Sequence, residues 1–198
     1  MFYEEGGVRE FKDYLPSSES KIARFLRDYP IKSRTVISHI RQANVGRVRL
    51  ENTHPFQREL WGSNWTFSHN GQLENSEALQ CRRFQPVGST DSERAFCWLM
   101  SEIINFFDKE PPCHTQWPLF VSECCQKFNQ KGIFNLLLSD GNALFTFCSS
   151  KLYWIIRRPP FGIAHLSDED ISIDFSSVTT ENDIVTVIAT QPLTDNEE

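Results

Sequence analysis

Residues 133–148 read Ile133-Phe134-Asn135-Leu136-Leu137-Leu138-Ser139-Asp140-Gly141-Asn142-Ala143-Leu144-Phe145-Thr146-Phe147-Cys148. Two apolar runs, 133–139 and 143–148, flank Asp140-Gly141, and Asp-Gly between apolar runs is a strong short-range signal for a β-hairpin. A third apolar run, 152–156, follows at once, and 184–190 (Ile-Val-Thr-Val-Ile-Ala-Thr) reads by composition as a buried strand. Strands joined by hairpins pair antiparallel, whereas parallel pairs need a crossover of a dozen or more residues. The chain therefore starts from an antiparallel sheet.

Upstream the period changes from two to 3.6. Phe96, Leu99, Met100, Ile103 and Phe107 place an apolar stripe on a helix over 91–107, with Thr90 and Glu93 as a T-x-x-E capping signature. A second helix is expected over 117–130. A third is expected over 18–29, with Ile22, Phe25, Leu26 and Tyr29 on one face, Ser17 or Ser18 as the cap and Pro30 as the stop. Residues 34–40 are β-branched and short, and predict a strand. Residues 65–69 alternate like a strand and should stop at the turn signal Asn70-Gly71. Between them, 41–64 holds no period and reads as a long loop, which in a compact domain is often functional. Phe2-Tyr3 followed by Glu4-Glu5-Gly6-Gly7 reads as a strand end and a hairpin turn. Helices grouped in a block beside hairpin strands predict an α+β fold of helices packed on antiparallel sheets.

Bulk properties narrow the function classes. A length of 198 residues fits one domain over 1–198, long enough to bury roughly 70% of the surface its unfolded form exposes. A net charge of −6, with Arg47, Arg49 and Arg58 interrupted by acidic residues, argues against nucleic acid as a partner. No apolar run reaches 18 residues, so no membrane partner is expected, and the N-terminus does not read as a signal peptide. The six cysteines form no C-x-x-C pair and no zinc-like spacing with histidine, so neither metal nor cofactor is implied. Cys97 and Cys148 lie in apolar runs and read as buried thiols. The expected location is a reducing cytoplasm.

Three polar segments interrupt the apolar pattern: His39 to Gly46, Asn52 to Phe56 together with Ser68 to Gly71, and Gly88 to Glu93. Together they offer the tools for holding an amino acid. Arg41 could grip a carboxylate with its bidentate fork. Asp91, at a helix start, could accept from an ammonium group. Asn70 and the Gly71 N–H could donate to an oxyanion, since glycine lets backbone approach closely. Each residue alone also has a plainer reading: Asn70-Gly71 as a hairpin turn, Asp91 as dipole compensation, Arg41 as a surface ion pair.

In order along the chain, His39-Ile40-Arg41-Gln42-Ala43-Asn44, Glu51-Asn52-Thr53-His54-Pro55-Phe56, His69-Asn70-Gly71-Gln72 and Thr90-Asp91-Ser92-Glu93 resemble the motifs of stand-alone class-II glutamine amidotransferase-like proteins of the YafJ type. The resemblance continues through Asn135 to Gly141 and Ala189 to Leu193 and covers nearly the whole chain. It implies the N-terminal-nucleophile hydrolase fold, an αββα sandwich of two antiparallel sheets between helix layers. It implies hydrolysis of the side-chain amide of glutamine, or of a related γ-glutamyl amide, by a processed N-terminal cysteine whose α-amine shuttles the proton. On this resemblance Arg41 holds the substrate carboxylate, Asp91 its α-amine, and Asn70 and Gly71 form the oxyanion hole. His39, Asn44, Thr53, His54 and His69 would shape the pocket, although His54 and His69 as lone histidines also read as structural.

The family's polypeptide begins Met-Cys. Here residue 2 is Phe, and the first cysteine is Cys81. The resemblance therefore predicts a chain truncated at both ends, lacking an N-terminal strand, with exposed sheet edges and lowered solubility. Two functional readings follow: the glutamine-pocket part of an amidohydrolase, or a non-catalytic binder of glutamine or γ-glutamyl groups. A purely structural interaction protein would leave the polar constellation unexplained.

Overall fold

The structure, a computed structural model, describes residues 1–41, 47–111 and 116–195. The chain divides into two compact units, Met1–Ser149 and Ser150–Glu198.

The first unit contains strands β1 (Phe2–Glu4) and β2 (Gly7–Arg9), helix α1 (Lys21–Asp28), strands β3 (Phe56–Leu60) and β4 (Ser63–Leu73), helices α2 (Asp91–Phe107) and α3 (Gln116–Asn129), and strands β5 (Gly132–Ser139) and β6 (Leu144–Phe147). The second contains β7 (Tyr153–Arg157), β8 (Ile163–His165), β9 (Ser172–Asp174) and β10 (Val185–Ala189).

In the first unit β3-β4-β5-β6 form a four-stranded sheet in which every neighbouring pair is antiparallel. Its helix-facing side follows from period two. Trp65, Phe67 and His69 of β4 alternate with Thr66 and Ser68, and Phe134, Leu136 and Leu138 of β5 alternate with Asn135 and Leu137. Phe67 stacks on Phe96 of α2 with ring centroids 4.8 Å apart, and Phe134 meets Phe128 of α3 at 4.6 Å. Phe96, Leu99, Met100 and Ile103 of the predicted stripe are fully buried, each contributing roughly 1.5–3 kcal/mol by removal from water.

The opposite side of the sheet receives Tyr3 from β1. Its hydroxyl lies 2.8 Å from Asn64 O, Thr66 Oγ1 and Ser139 O, tying the short N-terminal hairpin to β4 and β5. Backbone bonds from Tyr3 N to Thr35 O (3.1 Å) and from Ile37 N to Met1 O (3.0 Å) lay residues 35–37 along β1.

In the second unit β7 pairs with β10 and β8 with β9, all antiparallel.

Several sequence expectations are corrected. The strand over 34–40 reduces to an isolated bridge between Phe2 and Val36, because β1, its partner among the described residues, is three residues long. The strand over 65–69 does not stop at Asn70-Gly71: β4 runs on to Leu73, paired with β5 as far as Gly132. Asn70 lacks the positive φ that a type I′ turn demands, and only Gly71 takes one. The tight turn lies instead at Trp61-Gly62, both with positive φ, inside the stretch read as loop and directly after the unpredicted β3. Helix α1 starts later than expected, capped by Ser20, whose hydroxyl accepts from Ala23 N at 3.1 Å and donates to Asp13. Its apolar face is not buried; Phe25 and Tyr29 stack on each other at 4.8 Å instead. β10 is half-buried rather than buried. Cys97 is buried as expected, whereas Cys148, just past the end of the edge strand β6, is exposed. Among the described residues, no helix is long and apolar enough to cross a membrane.

Candidate active site

The start of α2 is the best-anchored point of the site. Thr90 caps it, its hydroxyl accepting from Glu93 N at 3.1 Å. The Glu93 carboxylate does not complete a capping box. It is buried and accepts from Arg58 Nη2 at 2.6 Å, from Val87 N at 3.0 Å and from Gly88 N at 2.6 Å. Four groups thus fix the loop that leads into the helix.

A second tie joins that loop to residues 47–53. Asn52, 1% exposed, accepts from Ser89 N at 2.8 Å and donates to Arg47 O at 3.0 Å. The loops approach so closely that a Cβ on Gly88 would lie 2.3 Å from Asn52 Oδ1 and 2.6 Å from Glu51 O. Asn52 stood in a quoted motif without a role; its buried, fully bonded amide makes it the hinge pin of the loop pair.

Asp91 is the first residue of α2, where the helix dipole favours a carboxylate. Its Oδ2 accepts from Leu73 N, the last residue of β4, at 2.7 Å. Asn70 and Gly71 are exposed, three and two residues earlier on the same strand. Asn70 shares its side of the sheet with Thr66 and Ser68, away from the helices, and its carbonyl accepts from Asn135 Nδ2 at 3.2 Å. Gly71 has φ +150°, and a Cβ there would sit 1.9 Å from Ile133 O.

Three imidazoles gather beside this strand end. His39 and His54 lie ring against ring with centroids 4.2 Å apart, and His54 meets Phe56 at 4.5 Å. Both ring nitrogens of His54, and Nδ1 of His39, are buried without a hydrogen-bond partner. Burial is the first cause that pushes the His39 pKa down to about 4 and that of His54 down to about 2, and the neighbouring His39, His69 and Arg41 charges add to it at His54. His69 is buried on the helix side, with Nδ1 2.8 Å from Ser92 Oγ and Nε2 3.1 Å from Ile133 O. Burial lowers its pKa too. All three rings are therefore neutral near pH 7.

Arg41 is half-buried and donates to Arg47 O at 3.3 Å. The Thr53 hydroxyl donates to Arg49 O at 3.0 Å and closes its own loop. Asn44 lies outside the described residues. The structure thus brings Arg41, His39 and His69 into electrostatic range of His54, and links the end of the strand that carries Asn70 and Gly71 to Asp91.

The described cysteines are free, and burial pushes the thiols of Cys97 and Cys124 up to about 11 and that of Cys125 higher still. These three are packing residues rather than nucleophiles.

A family model described as "Glutamine amidotransferases class-II" matches residues 1–198. The YafJ protein of Escherichia coli (strain K12), named as a glutamine amidotransferase, is 55% identical over 196 residues, covering 99% of this chain and 77% of the relative. A Haemophilus influenzae protein also named as a glutamine amidotransferase is 44% identical, covering 99% of this chain and 66% of its own length. The 2.0 Å crystal structure of a predicted glutamine amidotransferase from Pseudomonas aeruginosa PA01 superposes with a TM-score of 0.80 at 50% identity, over 99% of this chain and 77% of that one. The α+β, N-terminal-nucleophile-hydrolase-like fold class expected from the sequence holds, and the chain belongs to the class-II glutamine amidotransferase family.

Proposed function

We propose that this chain supplies the substrate pocket of a class-II amidotransferase site, binding glutamine or a related γ-glutamyl amide. One observation carries the reading. An exposed Asn70–Gly71 pair lies near the end of β4, and Leu73, the last residue of that strand, ties it to Asp91 at the first turn of α2.

In this reading Arg41 pairs with the ligand carboxylate and Asp91 accepts from its α-ammonium. The Asn70 amide and the Gly71 N–H face the oxygen of the side-chain amide, where negative charge grows as a nucleophile adds. His39 and His54 pack as neutral rings behind the pocket, with Thr53 at its margin. In the family's reaction an N-terminal cysteine adds to the amide carbon, ammonia leaves, and water releases the acyl group from sulfur. A non-catalytic binder is the second reading. It has less support, because holding an amino acid does not call for a pair of oxyanion donors.

The test is calorimetric titration of the chain with L-glutamine. Binding is expected, and Arg41→Ala should weaken it about tenfold or more by removing a charge-assisted pair. If neither glutamine nor γ-glutamyl amides such as glutathione and γ-glutamyl anilides produce a saturable signal, the reading is wrong.

A further inference from the structure

Residues 70–72 are pinned at both ends to the first two residues of α2. On one side Leu73 N donates to Asp91 Oδ2 at 2.7 Å; on the other, His69 Nδ1 meets Ser92 Oγ at 2.8 Å. His69 is 2% exposed and Ser92 5% exposed, so neither side chain is open to a ligand. We propose that His69 and Ser92 are positioning residues that lock the Asn70–Gly71 pair to the Asp91 carboxylate, so that both ends of an amino-acid ligand are read by one rigid unit. The inference rests on the glutamine reading above and assigns to His69 a role distinct from lining the pocket.

Hydrogen-bond complementarity sets the direction of the linkage. The Ile133 carbonyl, 3.1 Å from Nε2, can only accept, so Nε2 carries the ring proton and Nδ1 accepts. Nδ1 then takes the single hydroxyl proton of Ser92. Asp91 Oδ1, 3.4 Å from the same hydroxyl, is left without that proton. With Oδ2 engaged by Leu73, Oδ1 is the oxygen aimed at an ammonium group. Were Ser92 to rotate and donate to Asp91 instead, it would compete with the ligand for the carboxylate.

The same imidazole fixes the oxyanion side. A Cβ on Gly71 would lie 1.9 Å from Ile133 O and 2.8 Å from His69 Nε2. The ring and the carbonyl it bonds therefore fill the space beside Gly71. His69 acts on both recognition elements through contacts made entirely within the protein.

Two ligands separate this role from a general effect on folding: L-glutamine, and glutaric acid monoamide, which is glutamine without its α-amine. The unsubstituted chain should prefer glutamine clearly. Ser92→Ala should reduce that preference about fivefold to tenfold, the worth of one buried hydrogen bond, with monoamide affinity unchanged. Ser92→Cys, nearly isosteric but a weak donor, should show the same loss and guards against a chain that fails to fold. Equal weakening of both ligands, or an unchanged preference in a folded variant, overturns the inference while leaving the glutamine reading in place. Absence of glutamine binding by the unsubstituted chain overturns both.

Discussion

At Gly71 the missing side chain is the functional feature. Its φ of +150° is open to glycine and strained for other residues, and the backbone of Ile133 occupies the place of a Cβ. Gly71→Ala should therefore cost about 2–3 kcal/mol through strain and local displacement of β4 from β5, read as a lowered urea midpoint. It should also abolish glutamine binding. A midpoint within a few tenths of a kcal/mol of the parent chain would show that the two strands can part without consequence. The sequence marks this residue as special but for another reason: Asn70-Gly71 spells a turn. What overrides the turn is a partner strand about sixty residues downstream, and no local pattern reports that register. The histidines are similar. His39 and His54 are 15 residues apart and look solitary in sequence, yet their rings meet with centroids 4.2 Å apart.

The elements show the same division between local and distant causes. The capping signature before α2 is correct in its local half, with Thr90 on Glu93 N. The Glu93 side chain answers to Arg58, 35 positions away on a strand that the sequence did not reveal. That strand, Phe56-Gln57-Arg58-Glu59-Leu60, has apolar residues only at its ends, so period two barely registers. Helix α2 was legible to the residue because its stripe is long and its buried face is single. Helix α1 was legible as a helix but not in its packing, since a stripe predicts a buried face and not whether anything covers it. The Arg58–Glu93 pair gives a prediction at this scale. Glu93→Ala leaves the Val87 and Gly88 N–H groups without their acceptor and the Arg58 guanidinium without its carboxylate, with the Gln57 and Gln85 carbonyls still accepting from it, in a site where Glu93 itself is buried. Losing one partner of such a pair costs about 3–5 kcal/mol, whereas replacing both can be nearly neutral. Urea unfolding should show a large loss for Glu93→Ala and substantial recovery in Arg58→Met combined with Glu93→Leu. No recovery in the double variant would mean that the carboxylate acts mainly through the two backbone donors.

Across the whole molecule, the antiparallel α+β character and the family were readable from the hairpin and the ordered polar motifs. The three-residue strands β8 and β9 were not, being too short and too exposed to carry a period. Nor could the sequence show that His39 and His54 hold buried ring nitrogens lacking partners, which makes acid stability a property of the site. Unfolded, each imidazole titrates near 6.5; folded, burial holds His39 at about 4 and His54 at about 2, with His69 also lowered. As pH falls below 6.5 the unfolded chain takes up protons that the folded chain refuses, so this stability is present above 6.5 and is lost on acidification. The loss from His39 levels off near pH 4, while that from His54 continues below it. Each histidine contributes a slope of about 1.4 kcal/mol per pH unit inside its window. From pH 7.5 to pH 5.0, His39 and His54 together should remove about 4 kcal/mol by the same linkage. Urea midpoints measured at the two pH values check this, and His54→Phe supplies the control. Phenylalanine beside Phe56 removes two unpartnered buried nitrogens, so it should preserve stability at pH 7.5 and take away about 2 kcal/mol of the loss on acidification. If the His54→Phe chain lost stability on acidification as steeply as the parent, the proton-excluding core would lie elsewhere than at this histidine pair.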